Sequence, residues 1–145
     1  MIEQDTIKLL RECDAGVKMG TQSIDEVTGR VAASGMRQAL SDCRAEHEKL
    51  GREIRQELAR FQDEGKDPNP MVSGMSWMKT EAMLMMKEND DAAIADLMTD
   101  GCNMGVKSLN RYLNQYKAAD ERSKDIAKRL IHLEQTLAEQ MREYL

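Results

Sequence analysis

Two cysteines, a histidine and a glutamate carry the chemistry this chain could do. Cys43 and His47 stand four residues apart, so on a helix they are neighbours on one face. Cys102 and Glu134 lie on later segments of the same apolar periodicity, and counted from the helix ends they reach the same level as His47. Two thiolates, an imidazole and a carboxylate are a ligand set suited to tetrahedral zinc, with iron the second choice for so mixed a set. Cys13 stands about eight residues deeper along the first helix, or ~12 Å at 1.5 Å per residue, and does not join them.

The same residues also read as packing. A free cysteine behaves as a small buried hydrophobe, and a histidine on a core face is commonly a hydrogen-bonded structural group. The close Cys-x-x-Cys spacing of a strong metal motif is absent from the sequence. His132 lies nearly opposite the apolar stripe of its helix and is expected to face solvent. No serine or cysteine sits in a nucleophile elbow beside a matched base. The glycines fall within helical periodicity, not in a phosphate-cradling loop. No catalytic residue is therefore assigned, and the expectation is a protein that is not an enzyme.

Composition narrows the class further. Acids outnumber bases 26 to 21 across 145 residues, and the two signs are interspersed. A nucleic-acid binder needs a basic face, and with one Trp, one Phe and three Tyr base stacking has little to use. No segment approaches the ~20 apolar residues of a membrane span. The first twenty residues carry Glu3, Asp5, Lys8, Arg11, Glu12 and Asp14, where a signal peptide needs an uninterrupted apolar run. Three cysteines are not a secreted disulfide framework. These features place the chain in the cytoplasm, without nucleic acid or membrane.

Four amphipathic segments must position the candidate residues. The first runs from about Asp5, as N-cap, to Ala33, with Leu9, Cys13, Gly16, Val17, Gly20, Ile24, Val27 and Val31 on one stripe. Ser34 and Gly35 break it. The second carries Met36, Leu40, Cys43, His47, Leu50, Ile54, Leu58 and Phe61 and stops at Gly65, before Pro68 and Pro70. The third starts at Asn89 or Asp90 and carries Ile94, Met98, Gly101, Cys102, Gly105, Leu109, Tyr112 and Tyr116. Asp120 caps the fourth, whose stripe is Ile126, Leu130, Leu133, Leu137, Met141 and Tyr144.

Short turn, long connection, short turn makes two helical hairpins joined by a crossover, an all-α antiparallel four-helix bundle in one domain over residues 1–145. The connection itself reads as a short helix with Met75, Met78, Ala82, Met85 and Met86 on one face and Trp77 on the other. Six methionines fall within residues 71–86. Since a bundle can bury one side of a short helix but hardly both, this crossover is the expected surface for a homo-oligomer or protein partner. An internal repeat accompanies the pattern: Gly16-x-x-x-Gly20 recurs as Gly101-x-x-x-Gly105. Four glycines on core faces point to close packing of the first helix on the third.

Trp77 with Lys79, then Asp90-Asp91-Ala-Ala-Ile94, then Asp100-Gly101-Cys102 leading to Leu109 and Leu113, resemble a ferritin-like family of small bacterial proteins described only as a domain of unknown function. The match is best over residues 71–145. It implies a ferritin-like bundle with a long crossover and, in some members, oligomers. Di-iron members of the wider superfamily carry Glu-x-x-His, whereas here Arg44 precedes His47 by three and Arg129 precedes His132 by three. Relatives tend to carry an acid where this chain has Cys102. The resulting expectation is a non-catalytic bundle with a structural or interaction role. The alternative is a metal-binding or metal-dependent redox protein using Cys43, His47, Cys102 and Glu134.

Overall fold

The computed structural model describes residues 2–68 and 91–145. They form four α-helices, α1 (Ile2–Thr28), α2 (Ser34–Ala59), α3 (Asp91–Gln115) and α4 (Glu121–Met141), followed by a 3-10 turn over Arg142–Tyr144. No strand occurs among the described residues. The helix expected within residues 71–86, with Met75, Trp77 and Met78, lies outside them.

The helices form where the apolar period demands, but the ends of α1 and α2 differ from expectation. α1 begins before Asp5, whose carboxylate accepts from the Ala118 N–H of the α3–α4 turn instead. It also ends earlier, at Thr28, and the break is at residues 29–33, so that Ser34 and Gly35 open α2. Val31 nonetheless stays buried inside this turn, which carries the apolar stripe past the end of the helix. At its far end α2 stops at Ala59; Gln62 and Gly65 then take positive φ.

The start of α4 matches its cap signal. Asp120 is extended and its side chain accepts from the Ser123 N–H. Asp120→Ala should therefore cost about 1 kcal/mol in chemical denaturation, with no change in helix content of the native state by circular dichroism.

α1 and α4 each pack against all three other helices, while α2 and α3 occupy opposite corners. The turns are locked from the opposite hairpin. Asp91, opening α3, accepts from the Ala32 and Ala33 N–H groups at 2.8 and 2.9 Å. Thr6, on α1, accepts from the Asp120 N–H at 2.8 Å.

A clasp fixes the chain as it leaves α2. Asp63 pairs with Arg11, and Asp67 with Lys18 at 3.1 Å. The buried Asp14 carboxylate accepts from the Lys66 N–H at 2.9 Å and pairs with Lys18, while Lys66 reaches Glu12. Gly65 has φ +93°, and any Cβ there would overlap Asp14 Oδ2. The position requires glycine for both reasons.

The apolar interior divides into two clusters. One gathers Ile24, Val27, Met36, Leu40, Cys43, Ile94, Met98, Cys102, Leu137 and Met141. The other gathers Leu9, Leu10, Cys13, Val17, Leu50, Ile54, Leu58, Leu109, Ile126 and Leu130. On every helix a gap separates the two: between Val17 and Ile24, Cys43 and Leu50, Cys102 and Leu109, and Ile131 and Leu137. Those gaps hold Gly20, His47, Gly105 and Glu134.

Candidate functional site

The four gap residues form one polar layer across the middle of the bundle, one from each helix. His47 is 1% exposed. Its Nε2–H donates to Glu134 Oε1 at 3.1 Å, and its Nδ1–H donates to the Cys43 carbonyl at 2.8 Å. Cys43 Sγ stands 3.4 Å from the same Nδ1. The two glycines make the space. A Cβ on Gly20 would lie 2.7 Å from the His47 ring, and one on Gly105 would lie 3.4 Å from the Glu134 carboxyl.

Charge in the layer is settled by proximity. Burial pulls the His47 pKa down, but Cys43 and the Glu134 carboxylate beside the ring outweigh it and raise the pKa to about 10. His47 is then an imidazolium at neutral pH, and its two N–H groups are matched by two acceptors. Burial first, and the Glu134 carboxylate second, push the Cys102 thiol strongly up. Cys102 is therefore held as a protonated thiol, which makes it a poor nucleophile. Cys13 sits in the other apolar cluster, pushed up to about 12 chiefly by burial.

The sequence-derived residues Cys43, His47, Cys102 and Glu134 thus meet at one level, as expected from their spacing, and His132 is exposed. Within that cluster both ring nitrogens carry protons committed to oxygen acceptors, and a metal would have to displace them. Among the described residues, no group of three or more His, Cys, Asp or Glu side chains stands where it could hold a metal ion.

The glycine repeat works differently from its reading as a contact of the first helix on the third. Gly16 meets the Leu130 side chain of α4, Gly20 meets His47 of α2, and Gly105 meets Glu134 of α4. Gly101 is exposed, with open space where a Cβ would be. Sequence reasoning missed Asp14, although its place one helical turn from both Leu10 and Lys18 put an acid on the buried face.

Two surface grooves flank the layer without being lined by its residues. One, between α1 and α2, encloses about 290 Å³ and is lined by Val17, Lys18, Thr21, Glu48, Arg52 and Arg55. The other, between α2 and α4, encloses about 320 Å³ beside the Glu53–Arg129 ion pair and His132. No helix of the described residues is long and apolar enough to cross a membrane. Compared with protein families, curated proteins and solved structures, the chain matches none of them.

Proposed function

We propose that this chain is a non-catalytic, ferritin-like helical bundle with a structural or interaction role, and that it self-associates. The observation that carries the non-catalytic reading is the polar layer. Its imidazolium, carboxylate and backbone carbonyl are spent on one another, it lies between two apolar clusters, and none of its residues lines either groove. A charged pair so enclosed serves to fix the register of four helices, the best-attested use of buried polar groups.

The direction of the helices supports the ferritin-like arrangement. Between α1 and α2, Gly20 meets His47, and Asp25 pairs with Arg44. Between α2 and α4, His47 pairs with Glu134, Glu53 with Arg129, and Glu57 with Arg122. As one number rises the other falls, the mark of antiparallel neighbours. The same holds for α1 and α3, through Thr6 with Asp120 at one end and Ala33 with Asp91 at the other. α2 and α3 are then parallel at opposite corners, as in ferritin-like bundles.

Sedimentation equilibrium tests the self-association. The parent should be an oligomer, and changing Met75 and Trp77 together to Glu should lower its assembly state while the helical circular dichroism is kept. A monomeric parent would end that part of the reading. Elemental analysis of the purified protein tests the non-catalytic part: stoichiometric zinc or iron lost on Cys43→Ser would replace it with the metal-binding alternative.

A further inference from the structure

We propose that the groove between α1 and α2 is a binding site for a phosphate group, free or carried by a small phosphomonoester. Four of its six lining residues are charged, and two of these are already paired. Lys18 is held by Asp14 at 2.8 Å and by Asp67 at 3.1 Å. Glu48 is held by Arg44, which also binds Asp25.

Arg52 and Arg55 remain. Neither makes a hydrogen bond or ion pair with a described residue, in a chain whose acids outnumber its bases 26 to 21. Arg11, Arg44, Arg60, Arg122 and Arg129 find carboxylates. Arg30, Arg111 and Arg142 make no ion pair with a described residue either, and what distinguishes Arg52 and Arg55 is that both line one groove. Three residues apart on α2, the two guanidiniums share one face of the helix. Each presents a planar fork of N–H donors, which fits the geometry of phosphate oxygens.

Gly51 shapes the floor. The Arg55 guanidinium lies over it: a Cβ on Gly51 would sit 3.3 Å from Arg55 Nη1 and 3.1 Å from Val17 Cγ1. The absence of a side chain lets the exposed Arg55 lie back over its own helix, next to Val17. Val17 gives the groove an apolar wall for a short carbon body. Thr21 donates its hydroxyl proton to the Lys18 carbonyl, so toward a ligand its oxygen can act only as an acceptor. The groove is open to solvent and about 290 Å³ in volume, room for a phosphate with a few carbons. Two guanidiniums match the double charge of the ligand.

Isothermal titration at low ionic strength, with inorganic phosphate, glycerol phosphate and acetate, tests the site on the full chain. Saturable binding of phosphate or glycerol phosphate is expected, at least about tenfold weaker in the R52Q/R55Q double variant. That variant should keep the parent's melting temperature without ligand, because it breaks no ion pair. Gly51→Ala, which pushes Arg55 outward, should weaken binding as well. Tighter binding of glycerol phosphate than of phosphate identifies a phosphomonoester ligand; equal binding identifies the free ion. No saturable heat, acetate binding as tight as phosphate, or affinity unchanged in the double variant would each overturn the proposal.

Discussion

Glu134→Leu should lower the unfolding free energy at neutral pH by on the order of 3 kcal/mol, measured by urea denaturation, the range for removing one partner of a buried ion pair. The loss follows from what is left behind. His47 is 1% exposed and its Nε2–H has no other acceptor at hand. The protein must keep an uncompensated imidazolium in its core or pull the proton off. The pH profile separates this cause from lost packing. In the parent, the folded-state pKa of His47 is raised to about 10 above an ordinary value near 6.5. A group raised in this way contributes stability that is fully present below pH about 6.5 and is lost as pH rises toward about 10. The parent should therefore weaken steadily over that window, and Glu134→Leu should weaken less, keeping only the part of the shift that Cys43 supplies. The double change His47→Met with Glu134→Leu should recover most of the loss, because an apolar pair in place of a buried ion pair is close to neutral. A Glu134→Leu variant as stable as the parent, with the same alkaline slope, would refute the account of the layer.

Gly20→Ala should also destabilise, by about 1–3 kcal/mol, against the helix-propensity gain of about 1 kcal/mol that the same change brings at an ordinary helical site. The added methyl would lie 2.7 Å from both Cδ2 and Nε2 of His47. The ring cannot swing aside without giving up Glu134 or the Cys43 carbonyl. Either α1 moves off α2 or the layer breaks. Combined with His47→Ala, the same substitution should become neutral or stabilising, a large coupling between two residues in contact. Gly101→Ala is the internal control. With open space at that Cβ, it should only stabilise. Additive effects of Gly20→Ala and His47→Ala in thermal melts would show that the glycine is not there for the histidine.

Much of this was legible in the chain itself. Asp120 announced α4 because an N-cap is a local hydrogen bond, made with Ser123 three residues on. The stripes of Leu, Ile and Val located all four helices, since a 3.6-residue period requires no partner to be seen. The ends of α1 and α2 were harder to place, because Val31 is buried in a turn as fully as a helical residue would be. Spacing also put Cys43, His47, Cys102 and Glu134 at one level. It could not show that the imidazole and carboxylate would bind each other, because protonation depends on neighbours from other helices. The glycines were seen, but a missing side chain does not say whether backbone, ring or carboxylate fills the space. Asp14 escaped notice for the same reason: its partners, Gly65 and Lys66, arrive from beyond the end of α2.

The way the two turns are tied has a consequence for how the molecule tolerates change. The amides of residues 32 and 33 are held by Asp91, and those of residues 118 and 120 by Asp5 and Thr6. Each hairpin therefore carries the fastening for the other's bend. Surface turns ordinarily absorb insertions at little cost. Here an extra residue at either bend would unseat a carboxylate or hydroxyl at the head of a helix in the opposite hairpin, and the disturbance would travel along that helix. Among the described residues, these two bends are places where the chain is not free to vary in length.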